Sequence, residues 1–315
     1  MLERREYRRD RPDLMDPLSD ILTLLRPTGY GFRGLDTAGD WALDFREAHG
    51  IRCFAIEAGS CWLQPSDDDT PTLLSTGDVA LVMGGQPVRL YSRADAEPRD
   101  AFALFSSAPA GGVASLNGGG ECRGVGGFFE LGGSNVRALL AAVPPVVHVR
   151  SDNGRDALLA GVRRLMRELS EPLPGGALLA SHFAQALLVE ALRAHLADGE
   201  AHGGWLAALA HPTMRRALAA MHGDVARRWT LHDLAQVSGM SRSSFAAQFE
   251  SVTGETPIAY LTRWRMALAA DRLANTATSL AQVAASVGYN SVSAFGAAFK
   301  RITGRSPRRR GEACV

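Results

Sequence analysis

The sequence predicts a multidomain α and β chain: a β-barrel in front, a helical hairpin in the middle, and an all-α back carrying two helix-turn-helix units. Three observations predict it. Between residues 41 and 91, short apolar runs alternate with Gly, Pro and Asp turn formers, the pattern of a barrel or double sheet. Two long helical stretches follow, separated by Pro172-Leu-Pro-Gly-Gly176. The last hundred residues write one pattern twice. Phe245, Phe249, Gly254 and Pro257 recur fifty positions later as Phe295, Phe299, Gly304 and Pro307, and Gly239 recurs forty-nine later as Gly288. At 315 residues the chain has room for two cores.

Residues 1–14 are dense in Arg, Glu and Asp, bury almost nothing and are expected to be a disordered extension, with Met15 as a second plausible beginning. Residues 15–150 open on an amphipathic stretch, Leu18 to Leu25. They continue as the runs Trp41–Phe45, Cys53–Ile56, Ser60–Leu63, Asp78–Val82 and Val88–Tyr91. Gly77-Asp78 is a turn signal, Pro65 to Pro71 with three aspartates reads as an exposed loop, and Gly118-Gly119-Gly120 marks a further connection. Residues 151–204 hold the hairpin and a glycine-containing linker. Its second helix, from Ala177 to Arg193, is apolar round much of its circumference and must bury more than one face. A homodimer interface and packing on the barrel both satisfy that pattern.

In residues 210–310 each repeat makes physical sense alone. Thr230 and Ser279 precede apolar periodic runs as N-caps, and Gly239 and Gly288 let the chain leave a helix through a left-handed turn. Ser241 and Asn290 are read as caps of the second helices, placing the units at about 230–252 and 279–301. Four-residue spacing puts Phe245 with Phe249, and Phe295 with Phe299, on inward faces. The opposite faces stay free to enter a groove. Between the units, Ile258, Leu261, Trp264, Leu268 and Leu273 describe one long spacer helix.

Charge decides what the free faces are for. From His211 onward there are fourteen Lys+Arg against six Asp+Glu; the preceding residues carry twenty against twenty-seven. The whole-chain net of +1 hides a basic module joined to an acidic one, and double-stranded DNA is the expected partner. Lys300, Arg301, Arg305, Arg308, Arg309 and Arg310 are the expected phosphate contacts, adding affinity without sequence information.

The motifs Gly239-Met-Ser-Arg-Ser-Ser-Phe245, Thr253-Gly254 with Pro257, Tyr260 and Trp264-Arg265-Met266, and Val283-Ala284 with Gly288-Tyr289 resemble the AraC/XylS transcription regulators. The match runs from about Pro212 to Arg310. In that family each second helix lies in a major groove, the two grooves one DNA turn apart. The resemblance places Arg242, Ser243, Ala246 and Ala247 against the bases in the first unit, and Ser291, Val292, Ser293, Gly296 and Ala297 in the second. Where the family often has arginine this chain has Ala247 and Ala297, which offer a methyl group and no hydrogen bond. Discrimination is then either weak or leans on Arg242, Gln248 and DNA shape. Promoter DNA is thus the expected partner, with RNA polymerase a further candidate.

Asp16-Pro-Leu-Ser-Asp20, Trp41-Ala42, Gly59-Ser-Cys-Trp-Leu63, Leu74-Ser-Thr-Gly-Asp78 and Val143-Pro-Pro145 are similar to the cupin-type sensor domain that opens one AraC-like subfamily. The resemblance implies a small-molecule effector, with Phe54, Ile56, Trp62 and Val88 as pocket candidates. Phe54 and Val88 stand where that subfamily often has histidine, and His49 with Cys53 is too few ligands for a metal site, so no metal or other cofactor is expected. Cys61 is a candidate redox thiol with Cys53 or Cys122 as resolving partner; the competing reading is a small apolar core residue. A redox-responsive regulator is therefore the alternative function, and a cupin enzyme fused to a DNA reader a third. No nucleophile–base pair, Walker loop or dinucleotide fingerprint supports catalysis. The chain has neither a membrane-length apolar run nor a secreted cysteine framework, so the cytoplasm is the expected location.

Overall fold

The computed structural model describes residues 16–46, 50–65, 70–133, 136–140, 143–150, 155–171, 173–197 and 204–307. They form two compact units, each assembled from separate stretches of chain.

The first unit is the barrel. Its six-stranded sheet contains β1 (Pro27–Thr37), β3 (Ile51–Ala58), β6 (Val79–Val82), β9 (Val113–Leu116), β10 (Cys122–Leu131) and β11 (Val146–Val149), in the order β11-β6-β3-β10-β1-β9. A five-stranded sheet contains β2 (Ala42–Phe45), β4 (Ser60–Gln64), β5 (Thr72–Ser75), β7 (Val88–Tyr91) and β8 (Pro98–Asp100), in the order β5-β4-β7-β2-β8. The core between them buries Trp41, Leu43, Phe54, Ile56, Leu63, Leu74, Val82, Val88 and Leu90. A short helix, α2 (Ala101–Ser106), sits beside β2 and adds Phe105 and Leu104 to that core.

The longest pair of strands, β1 with β10, is also the richest in glycine. Gly31 faces Phe128, where a Cβ would stand 2.6 Å from the ring, and Gly127 faces the Phe32 ring just as closely. These glycines give cross-strand aromatics the room that side chains would fill. The unit closes with α4 (Arg155–Ser170) and α5 (Gly176–Ala197), which pack on each other; α4 lies against β1 and β3, α5 against β1 and β11. Intrachain packing thus buries Ala180, Ala184, Leu187, Leu188, Ala191 and Leu192, while Leu178 and Leu179 stay exposed.

The second unit is all helical. It comprises α1 (Pro17–Leu25), α3 (Val136–Leu140), α6 (Gly204–Ala210), α7 (Pro212–Gly223), α8 (Leu231–Ser238), α9 (Arg242–Thr253), α10 (Pro257–Asn275), α11 (Leu280–Ser286) and α12 (Val292–Thr303). The amphipathic stretch that opens residues 15–150 in sequence therefore belongs to the helical unit. As α1 it is capped by the Asp16 carboxylate on Leu18 N–H at 3.1 Å and buries Leu18, Ile21, Leu24 and Leu25, packing on α7 and α10. An isolated apolar stripe needs a helical partner, and those two helices supply one. Arg26 fastens its end to Asp271 at 3.0 Å.

Beneath α1 lies a polar cluster that nothing in the sequence announces. His222 is buried, stacked on Trp264 with ring centroids 4.0 Å apart. Its Nε2 meets the Tyr260 hydroxyl at 2.8 Å and its Nδ1 the Asp20 carboxylate at 3.2 Å. Burial holds the His222 pKa below the ordinary histidine value, with Asp20 opposing.

Candidate nucleic-acid interface and barrel cavity

The two repeats fold as paired helix-turn-helix units. Thr230 caps α8 by accepting from Asp233 N–H at 3.2 Å while the Asp233 carboxylate accepts from Thr230 N–H at 2.9 Å; Ser279 and Gln282 make the same reciprocal box at α11. The turn glycines take the left-handed conformation, φ +70° at Gly239 and +83° at Gly288. The second helices begin on serine in both units. Ser241 accepts from Ser244 N–H at 3.2 Å, and Ser291, not Asn290, accepts from Ala294 N–H at 3.2 Å. The one extra residue in the second turn moves the cap one place along.

Phe245 and Phe249 are fully buried, their centroids 5.7 Å apart, and Phe295 and Phe299 repeat the arrangement at 5.5 Å. With those faces fixed inward, Arg242, Ser243 and Ala247 stand exposed on α9, and Val292, Ser293 and Ala297 on α12; Ser291 is exposed at its cap, and Ala246 and Gly296 are half-buried beside them. Gln248 is half-buried, and its side-chain amide meets His211 Nε2 at 2.8 Å, at the start of α7. Lys300, Arg301 and Arg305 are exposed near the end of α12. Arg308, Arg309 and Arg310 lie outside the described residues, as does His49.

A small cavity of about 20 Å³ lies in the barrel, walled by Leu35, Phe45, Phe54, Ile56, Phe105 and both Cys61 and Cys122 among others. Of the four pocket candidates, Phe54 and Ile56 line it, and Val88 is buried in the surrounding core. Trp62 is 37% exposed, because alternation along β4 turns Cys61 and Leu63 inward and the tryptophan out. Among the described residues no group of three or more His, Cys, Asp or Glu is placed to hold a metal ion.

The three described cysteines separate into a pair and a bystander. Cys61 and Cys122, one from each sheet, are in hydrogen-bond contact through their thiols. That contact, with burial behind it, pushes the Cys61 thiol well up, and the same hydrogen bond holds Cys122 below the ordinary thiol value, aided by Thr37 against burial and Asp36. Cys53 is buried elsewhere in β3 and pushed up to about 12 by burial alone. The arginines adjacent in sequence are engaged otherwise. Arg123 pairs with Glu57 at 3.4 Å, and the Arg52 guanidinium lies 5.5 Å from the Phe45 ring centre.

Comparison with known proteins matches this organisation. The Cupin family matches residues 16–197 and the Helix-turn-helix domain family residues 234–310. A putative AraC-like transcription regulator of Streptomyces lividans is 37% identical over 295 residues, covering 93% of this chain and 97% of that one. The HTH-type transcriptional regulator AlkR of Acinetobacter baylyi is 31% identical over 311 residues, with 93% and 98% covered. Among solved structures, the DNA-binding domain of AdpA in complex with a target DNA is 29% identical over 30% of this chain and 86% of its own, with a TM-score of 0.29. No described helix is long and apolar enough to cross a membrane. With a cupin domain in front, two helix-turn-helix units behind and relatives matched along nearly their whole length, the chain belongs to the AraC-like family of DNA-binding transcription regulators.

Proposed function

We propose that this regulator reads promoter DNA with the exposed faces of α9 and α12, and that a small molecule entering the barrel sets its affinity for that DNA. The observation that carries the first half is the shared architecture of the two units: buried phenylalanine pairs, capped N-termini and a free outer face on each second helix. Arg242 is the one exposed side chain in the proposed base-facing set able to make a forked contact with guanine. Ser243, Ser291 and Ser293 supply single hydrogen bonds. Ala246, Ala247, Val292, Gly296 and Ala297 supply apolar contact and close approach. Lys300, Arg301 and Arg305, with Arg308 to Arg310 following in sequence, hold the phosphates.

The second half rests on the cavity. Its walls are almost wholly apolar, and a ligand regulates only by binding the DNA-competent and incompetent states with different affinity. A drug-sized molecule fills roughly 300–1,000 Å³. At about 20 Å³ the cavity admits one only after Phe45 and Phe105, both partly buried, swing aside. Footprinting on DNA upstream of the neighbouring genes tests the first half: two adjacent protected grooves are expected, and random protection argues against it. Repeating the titration with benzene or n-hexane as apolar probe tests the second. Affinity should change in the wild type and not in Gly126→Leu, whose side chain grows toward Phe54 and Phe105. Equal affinity with and without probe contradicts it.

A further inference from the structure

We propose that Cys61 and Cys122 are a modification site, a dithiol that a hydroperoxide closes into a disulfide joining the two sheets of the barrel. The inference rests on the reading of the barrel as the input domain and names the chemical class of one input.

Three observations carry it. The two thiols touch each other, and both line the barrel's cavity. The backbone has already brought their strands together: at Gly59, the corner between β3 and β4, a Cβ would stand 3.0 Å from the Cys122 Cα and closer still to the Glu121 carbonyl oxygen. Glycine, at φ +79°, is what that approach requires. Two residues past this corner, Cys61 joins Cys122 on the wall of the same cavity. The third observation is size. At about 20 Å³ the cavity slightly exceeds the roughly 10–15 Å³ that a water molecule needs. Hydrogen peroxide, neutral and small, reaches that space with Phe45 and Phe105 in place; glutathione disulfide and other bulky oxidants need both to move.

The roles of the two sulfurs differ. Cys122 is the more exposed, 8% against 2%, and receives the hydrogen bond that favours its thiolate, so it is the attacking thiol. Its sulfur attacks one peroxide oxygen and the O–O bond breaks. The product is a sulfenic acid, and the departing hydroxide takes up the thiol proton as water. The Cys61 sulfur then attacks the sulfenic sulfur, its proton leaving with the hydroxyl as a second water. Two thiols and one hydrogen peroxide become one disulfide and two waters, the dithiol losing two electrons to the peroxide. Cys53 takes no part, since it lies outside the cavity and burial keeps it protonated.

The test treats the full chain with stoichiometric hydrogen peroxide, blocks free thiols, and maps peptides by mass. The expected result is a Cys61–Cys122 link that dithiothreitol reverses, with Cys53 still reduced. In Cys61→Ala, dimedone should capture a sulfenic acid at Cys122; should that variant fail to fold, the wild-type map alone decides. Cys61 and Cys122 remaining reduced under peroxide, or joining only after denaturation, overturns the proposal. DNA titration of the oxidised chain separates the two claims. A link that forms with at least a tenfold change in DNA affinity supports both. A link that forms with no change leaves the modification site standing and removes the barrel from control.

Discussion

Alanine at the two turn glycines should have unequal consequences, because the two Cβ atoms meet different surroundings. Both residues sit in the left-handed region, so alanine costs each unit about 1–2 kcal/mol through its Cβ alone. At Gly239 that Cβ meets only the end of the Arg216 side chain, at 3.7 Å, an ordinary contact. At Gly288 it would stand 2.5 Å from the backbone carbonyl oxygen of Ala226. That segment cannot retreat freely: the Arg265 guanidinium holds the flanking carbonyls of Val225 and Arg227 at 2.8 and 2.6 Å. Overpacking of this kind adds about 1–3 kcal/mol. Gly288→Ala should therefore cost more than Gly239→Ala by that margin. Urea unfolding of the full chain, followed by helical circular dichroism, measures the difference as a displaced midpoint at unchanged slope. Equal midpoints, or a larger loss at Gly239, would refute the argument that the loop at Ala226 buttresses the second unit.

Further outcomes follow from individual sites. With its folded pKa depressed, His222 binds a proton less readily folded than unfolded. Stability is thus full above about pH 6.5 and declines as pH falls below it, a decline that His222→Phe should flatten in pH-dependent melts. Phe54→Ala should destabilise the barrel by about 3–5 kcal/mol, whereas Trp62→Ala, on the outer face, should fall within about 0.5 kcal/mol; calorimetry separates them. Replacing Lys300 and Arg301 with Ala should weaken specific and random DNA alike and reduce the slope of log affinity against log salt by about 2. Loss confined to the preferred site would remove them from the phosphate-contact set.

The helical half was the more legible in sequence because its signals are local. Caps, left-handed glycines and four-residue phenylalanine spacing each declare themselves within a few residues, and Thr230, Ser279, Gly239 and Gly288 do what their types dictate. Asn290 misled because two cap-forming residues, Asn290 and Ser291, stand side by side, and only the backbone chooses between them. In the front half the strands with alternating apolar residues were visible, but β1 and β10 were hidden. Their glycines resemble loop residues until Phe32 and Phe128 are seen lying across them. The affiliation of α1 and the contact of Cys61 with Cys122 depend on partners tens to hundreds of positions away. Local patterning does not encode such pairs.

In the proposed function α9 and α12 read neighbouring major grooves, and Arg242 is the principal base-reading side chain. Methylation interference at guanine N7 tests it directly, since that atom faces the major groove and a forked arginine contact needs it free. Two clusters of interference are expected on one face of the duplex, roughly 10 base pairs apart. In Arg242→Ala one guanine of the α9 cluster should fall silent, at a cost of about 1–3 kcal/mol in affinity, while the α12 cluster is unchanged. A single cluster, or an identical pattern in wild type and Arg242→Ala, would contradict it.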